Sequence, residues 1–516
     1  MRRLQCQPNR AMVTFEIARA AWVGKLAADG GIPAWPPAGV AIEGDFSGIQ
    51  RFVLRPVPGA GGAARRLRAR SFRVLALTRL VASALEHRLR DACARLYYSA
   101  GGRFLIVANP YREWADCLAS FQGELDDDLL RTYKGELAFH LAGAEFADGR
   151  IPVGGLRDAM ARRKQTPLDR ALRTAGKWVP ERFVFSGGDA KCAGCGSTAA
   201  LCDQSERLCQ TCVDDSELGK RLLMGGPLRL KQSPHGSLAV LGERWTVSSD
   251  GPILVSAVTH TPLEREQLAT FKELSGRAGG RQYLGYLRLD ADRIGLEFRK
   301  LEGDPRRTWG LSKLLDETFS SAVTEKLRTQ FANLYPVYGG GDDLFVIGPW
   351  NEVLDFAAAW RSEFRKISED KLTFSAGVAL AKPSHHILTK SEESEGALND
   401  HAKIPRDSIH ALGSTISWAE FGEVHALANR VTELHSSRQI KSALLHDIAY
   451  LHERWQRGDP RWHSLLFYQF ERNLTREARR VMADAFLSPG HLWEHAGFIV
   501  RYAMLSGGAQ EEHRHA

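Results

Sequence analysis

No apolar run in the 516-residue chain approaches the roughly 18 residues that a membrane-spanning helix needs. The opening MRRLQCQPNRAMVTFEIARAAWVG is basic but too broken by polar residues to work as a signal peptide. Cysteine is scarce, with 8 in the whole chain, which excludes a disulfide scaffold. No sign of charge dominates either: a net +8 over this length is a mild excess. The expectation is a soluble cytoplasmic protein of ordinary globular composition, long enough for several domains.

Four of the cysteines stand as Cys192-Ala-Gly-Cys195 and Cys209-Gln-Thr-Cys212, with 13 residues between the pairs. Each pair presents two thiolates from one tight turn, so CxxC…CxxC at this spacing points to a closed, structural zinc site holding a small knob. A redox pair and an iron–sulfur site are the alternatives, and Cys202 is a bystander. Two local basic runs, ARRLRARSFR (64–73) and MARRKQTPLDRALR (160–173), suggest contact with phosphates.

In VYGGGDDLFVIG (337–348) two apolar runs flank a triple-glycine turn and an adjacent pair of carboxylates, Asp342 and Asp343. Such a turn needs no acidic doublet, whereas a divalent cation would offset the repulsion. Gly340 and Gly341 would let a phosphate chain approach the backbone. Around this hairpin the elements run in the order strand (281–290), helix (308–334), hairpin, helix (351–368), strand (371–380), then a helix ending near Lys403 and a strand-like 408–418. Strand–helix–hairpin–helix–strand is the ferredoxin-like plan of polymerase palms and nucleotide cyclases. The same order occurs earlier: VAIEGDFSGIQRF (40–52) is a strand ending in Asp45, a helix covers 66–94, LYYSAGGRFLIVANP is a glycine hairpin, and another helix precedes a strand over 135–143. Aligning the hairpins sets Gly102 on Asp342 and Arg103 on Asp343, with Asp45 opposite Asp290. Ser71 and Ser312 fall in corresponding helices. One copy therefore keeps the acidic doublet and the other works without it. Asp290 should lie beside the hairpin, sharing one or two magnesium ions with Asp342, assisted by Asp343 and Asp292. Asp45 and Ser47 could instead simply cap the segment that follows.

GDFSGIQRF, RARSF, YYSAGGRFLIV, the cysteine knob, YLRLDADRIG, YGGGDDLFVIGPW, LTFSAGVALAKP, ISWAEF and LLFYQFERN together, in this order, resemble the large subunit of type III CRISPR effector complexes, the Cas ten family in its Csm or III-A form. The resemblance spans residues 40 to 475 or so. It implies a composite pocket for two ATP molecules, which are linked into cyclic oligoadenylates when guide RNA captures a target transcript. It gives Asp290, Asp342 and Asp343 to magnesium or manganese and catalysis, Ser71 and Ser312 to adenine, and Lys403 and Arg406 to the triphosphate. Partners would be guide RNA, target RNA and the other subunits of the complex.

The expected layout is α+β and multidomain: a short N-terminal segment (1–39), a first, degenerate palm (40–165), a linker domain with the zinc knob (166–275), a second palm (276–418) and C-terminal helices (419–516). Many relatives of this type begin with an HD nuclease domain, and too few residues precede GDFSGIQ to form one. His446-Asp447 in LLHDIAYLHERW read as part of an amphipathic helix with Leu445, Ile448 and Leu451 inward. Gly102 and Arg103 substitutions should then affect ATP affinity more than metal binding. A catalytically silent scaffold for the RNAs is the competing function, and a stand-alone diguanylate-cyclase-like enzyme is a third.

Overall fold

The computed structural model describes residues 35–55, 62–174, 177–179, 181, 190–197, 201–203, 205–222, 228–487 and 490–507. Most of the expected N-terminal segment and the residues after 507 lie outside these. Among the described residues no helix is long and apolar enough to cross a membrane.

Strand β1 (Gly39–Ser47), β2 (Arg95–Ala100), β3 (Arg103–Ala108) and β4 (Ala138–Phe146) form a sheet in the order β2-β3-β1-β4. The β1–β3, β1–β4 and β2–β3 pairings are all antiparallel. Helix α1 (Ala63–Arg88) joins β1 to β2, α2 (Trp114–Tyr133) joins β3 to β4, and α3 (Val153–Lys164) follows. This is the ferredoxin-like order. A small four-cysteine module with helix α4 (Gln210–Arg221) comes next. After it runs a sheet of four short strands, β5 (Arg229–Gln232), β6 (Leu238–Val240), β7 (Glu243–Ser248) and β8 (Ile253–Leu254).

The second large sheet repeats the plan and extends it. It comprises β9 (Leu284–Ala291), β10 (Tyr335–Gly340), β11 (Asp343–Pro349), β12 (Phe374–Ala381), β13 (Ser408–Ala411) and β14 (Ser414–Ser417), in the order β10-β11-β9-β12-β13-β14. Helix α5 (Pro305–Glu317) continues through a wider π turn at Thr318–Ala322, α6 (Trp350–Ile367) links β11 to β12, and α7 (Ile387–Gly396) runs into a second π turn at Ala397–Ala402. Such turns recur at functional sites, and the second one delivers Lys403. Even the irregularities correspond: the β2–β3 ladder slips between Leu96 and Tyr98, the β10–β11 ladder between Pro336 and Tyr338.

Aromatic packing fixes the second sheet. Phe319, Phe356, Trp360 and Phe364 are almost wholly buried beneath it, and each such side chain contributes about 1.5–3 kcal/mol. The α7 backbone lies directly on β12, since a Cβ on Gly377 would fall 2.3 Å from the Leu398 nitrogen and 2.4 Å from the Ser394 oxygen. Gly377→Ala is therefore expected to push α7 off the sheet, costing about 1–3 kcal/mol in denaturant unfolding and loosening the Lys403 contact described below.

Helices α8 (Trp418–Ser436), α9 (Ser442–Gln456), α10 (Trp462–Asn473), α11 (Arg476–Phe486) and α12 (Ala496–Gly507) close the chain. On α9, Leu445, Ile448 and Leu451 are buried and His446 is exposed. The amphipathic reading of that helix holds.

Candidate functional site

Strand β9 is buried along most of its length and emerges at Asp290. Antiparallel pairing sets Asp290 opposite Asp343, and the Asp342 carbonyl accepts from the Ala291 N–H at 2.9 Å. The three acids expected to act together thus sit at one strand end. Burial, with the charges of Asp342 and Asp290, pushes the Asp343 carboxyl up to about 8. Burial also raises Asp290, to about 6; Lys403 opposes this at 2.6 Å, while Asp342 and Asp292 add to it. Carboxylates that hold protons this tightly carry charge the protein itself leaves unbalanced, which is what a divalent cation would relieve. They do not form a closed cage: among the described residues the four cysteines are the one group of three or more such side chains whose ligand atoms all lie within 4.8 Å of one another. That suits magnesium, which is commonly bound by one or two carboxylates together with substrate phosphates.

Asp292 departs from expectation. Its carboxylate accepts from Thr373 Oγ1 at 2.8 Å, Ser375 Oγ at 2.7 Å and the Asp407 N–H at 3.0 Å. It is spent on tying β12 and the 407 loop to β9.

Gly340 and Gly341 have φ of +150° and +67°, a backbone that side chains resist. They meet the other glycine turn head-on: a Cβ on Gly101 would lie 3.7 Å from the Gly340 oxygen and 4.0 Å from the Gly341 Cα. The helices cross reciprocally at this seam. α1 packs against β10, where Tyr335 Oη donates to the Ala64 carbonyl at 2.7 Å, and α5 packs against β2. Ser71 and Ser312, both nearly buried, therefore flank the seam from opposite sides. Ser71 lines a narrow crevice of about 20 Å³ with Arg68, Leu75, Tyr338 and Gly339. That crevice is the size of a water and smaller than a base. Arg406 is exposed at φ +63°, in the loop just after Lys403.

The corresponding positions in the first sheet carry exchanged charges. Asp45 pairs with Arg103 as Asp290 pairs with Asp343, and Glu43 stands where Arg288 stands. Arg103 bonds Glu43 and lies 3.7 Å from Asp45, so this sheet neutralises its own acids. Lys164, at the end of α3, pairs with Asp45 as Lys403 pairs with Asp290. Neither Asp45 nor Ser47 is a cap. Asp45 lies within β1, Ser47 Oγ meets His140 Nε2 at 2.9 Å, and the short helix Ile49–Val53 starts at Gly48 without a side-chain cap.

Losing the Lys403 ammonium should let Asp290 rise further. Lys403→Met is expected to shift the acid limb of any activity at this site to higher pH and, above that limb, to lower the metal concentration required, because the ammonium no longer competes for Asp290. Rate-against-pH profiles at several magnesium levels check this.

The four cysteines converge as expected. Cys192, Cys195, Cys209 and Cys212 are buried, and the Cys195 and Cys209 sulfurs are 3.9 Å apart. A tetrahedral ion with bonds of about 2.3 Å places its sulfurs about 3.8 Å apart, so the cluster is compatible with structural zinc. Cys202 is exposed and stands outside it. The basic run 64–73, by contrast, does not face phosphates. Arg66, Arg68, Arg70 and Arg73 are buried, anchoring the cysteine module and the linker to α1.

Sequence reasoning missed three residues here. Arg288 is buried two positions before Asp290, donates to Tyr338 Oη at 2.8 Å and stacks over Phe345. Its alternation with Asp290 on one face was the available signal. Asp316, one turn after Ser312, reaches within 3.8 Å of where a Gly340 side chain would begin, and burial lifts its carboxyl to about 6. Lys164 could have been found from the repeat.

A sheet of this order, ending in a Gly-Gly-Asp-Asp hairpin beside a strand-terminal aspartate, defines a palm-domain protein. Residues 283–410 match the family model for the second palm domain of Cas10/Cmr2, and residues 40–166 match that for domain B of the Csm1 subunit. The chain is a homologue of the Cas10/Csm1 large subunits of subtype III-A. It is 27% identical over 429 residues to the Cas10/Csm1 single-strand-specific deoxyribonuclease of Enterococcus italicus, covering 73% of this chain and 55% of that protein. The correspondingly named protein of Thermococcus onnurineus is 25% identical, over 84% of this chain and 64% of its own length. For that of Mycobacterium tuberculosis the figures are 26%, 70% and 52%. The chain thus spans between half and two-thirds of the length of these relatives. Among solved structures, a Csm1–Csm4 cassette in complex with cA4 superposes with a TM-score of 0.70 at 18% identity, over 91% of this chain and 70% of its own. The cassette with one ATP gives 0.69 at the same identity and coverages. At such identity these superpositions establish the fold.

Proposed function

We propose that this chain is the large subunit of a type III-A CRISPR RNA-guided antiviral complex and that it joins ATP into cyclic oligoadenylates at the seam between its two large sheets. The observation that carries the reading is the trio Asp290, Asp342 and Asp343 gathered at one strand end, where the two glycine turns meet. The first sheet is then a second palm that has exchanged its acids for Arg103. Solved structural neighbours bound to ATP and to cA4 support the substrate and product class.

In this reading the 3′-oxygen of one ATP bonds to the α-phosphorus of the next, the bond to pyrophosphate breaks, and the hydroxyl proton leaves to solvent. Asp290, Asp342 and Asp343 would hold a magnesium or manganese ion, which would supply positive charge at the α-phosphate. Lys403, released from Asp290, and Arg406 bind the triphosphate, and Gly340 and Gly341 let it approach the backbone. Ser71 and Ser312 orient the two bases. Zinc closes the four-cysteine knob. Guide RNA, target RNA and the other III-A subunits are the partners, in the cytoplasm.

The test is the assembled complex with guide RNA, labelled ATP and magnesium or manganese, with and without complementary target RNA, and products resolved by mass. Oligoadenylates formed only with target support the proposal. No product despite confirmed target capture sinks it and leaves a scaffold for the RNAs.

A further inference from the structure

Helix α1 is held from two sides. Arg66, Arg70 and Arg73 recur at helical spacing on one face, buried against the cysteine module. Arg70 donates to Asp215 Oδ2 at 2.7 Å, to the Phe52 carbonyl at 3.0 Å and to Cys212 Sγ at 3.5 Å. Arg73 donates to Asp215 Oδ1 at 2.8 Å and to the Ser237 carbonyl at 2.7 Å. The backbones are close too, since a Cβ on Gly219 would lie 2.5 Å from the Arg65 carbonyl oxygen. The adjoining face carries Arg68, Ser71 and Leu75 against the second hairpin. Ser71 is thus flanked in sequence by the two arginines that grip the module.

Charge makes this grip depend on the metal. Asp215 is fully buried and balances one of the two guanidinium charges. The other is met by a cysteine sulfur. Four thiolates around a divalent ion carry a net charge of about −2, whereas four protonated thiols carry none. Asp214 also acts on Arg73 and Arg66 is a third buried cation on this face, so the loaded module brings negative charge here that the empty one does not.

We propose that the metal-loaded four-cysteine module is a positioning device for the nucleotide subsite at Ser71. Through Asp215, Arg70 and Arg73 it sets the register of α1 against Tyr338 and Gly339. The proposal rests on the nucleotide reading above for the identity of the ligand, but the coupling itself can be measured without it.

The experiment uses the full chain, zinc-loaded and then stripped by a chelator, with metal content measured in each sample. Hydrogen exchange is followed in 66–75, with 284–291 as internal reference, and AMPPNP binding is followed by calorimetry. Stripping is expected to speed exchange in 66–75 by at least about tenfold, to leave 284–291 unchanged, and to weaken AMPPNP by at least about fivefold. Arg70→Lys keeps the charge and loses the fork. It is expected to retain zinc while raising the KM for ATP and leaving kcat unchanged. Unaltered exchange and affinity after confirmed metal loss overturn the proposal. So does faster exchange in both segments, which is general unfolding, or an Arg70→Lys variant with wild-type KM. If the loaded chain binds no AMPPNP at all, the nucleotide reading is at fault and the exchange measurement alone decides the coupling.

Discussion

The double variant Asp342→Ala, Asp343→Ala is expected to lose the proposed oligoadenylate synthesis by at least ~10³-fold, equivalent to about 4 kcal/mol of transition-state stabilisation, while becoming no less stable. Both halves follow from the same electrostatics. The Asp343 carboxyl is raised to about 8, first by burial and then by Asp342 and Asp290, against about 3.9 in an unfolded chain. Folding therefore takes up a proton between those values. The penalty for the ionised form is complete above pH 8 and disappears as pH falls toward 4, so the wild type gains stability from this group on acidification. Removing the carboxylate should raise the melting temperature at pH 8 and have no such effect near pH 4. Magnesium should stabilise the wild type and leave the double variant unmoved. A doublet that served only to shape the turn would behave oppositely: its loss would lower the melting temperature at every pH and magnesium would be indifferent. Thermal scans of both proteins, with and without magnesium at two pH values, separate these outcomes.

Both large sheets were legible because each carries its own punctuation. Apolar runs around Gly101-Gly102 and Gly339-Gly341 mark the hairpins, and the observed strands agree with the expected ones to within a few residues. The adjacency of Asp290 and Asp343 followed from ferredoxin-like strand order alone. What sequence could not give was the use of charge. ARRLRARSFR looks like a phosphate-binding run because a buried arginine and an exposed one are spelled alike. Only the tertiary partner, Asp215 from a segment some 140 residues away, distinguishes them. Asp292 was misjudged for the same reason. Its donors Thr373 and Ser375 lie at the start of β12, the first just before it, and that strand is paired to β9 only in the folded state. The aligned repeat already sets Arg103 on Asp343, but that Arg103 turns to Glu43, which stands in the place of Arg288, appears only once the ladders are paired.

Asp215→Ala is expected to be the most destabilising single substitution in the linker region, at about 3–5 kcal/mol. The arithmetic is one of orphaned charge. Asp215 is fully buried and both its oxygens are engaged, by the Nε of Arg70 at 2.7 Å and the Nη2 of Arg73 at 2.8 Å. Burial lowers the pKa of both guanidiniums, while Asp215, with cysteine sulfurs at Arg70 and Tyr133 at Arg73, raises it; without Asp215 neither arginine can escape by losing its proton, because a guanidinium stays charged in proteins. Deleting the carboxylate leaves two buried cations without their partner, next to the sulfur cluster. Replacing the whole triad by apolar residues is a different perturbation. Arg70→Met and Arg73→Leu together with Asp215→Leu should recover much of the loss, because no charge is then left unpaired. Urea unfolding of the zinc-loaded chain, followed by hydrogen exchange in α1 and α4, reads both variants. A triple variant as unstable as Asp215→Ala would mean that the geometry of the fork, and not its charge balance, holds the module to α1. In that case zinc loss should leave α1 in place.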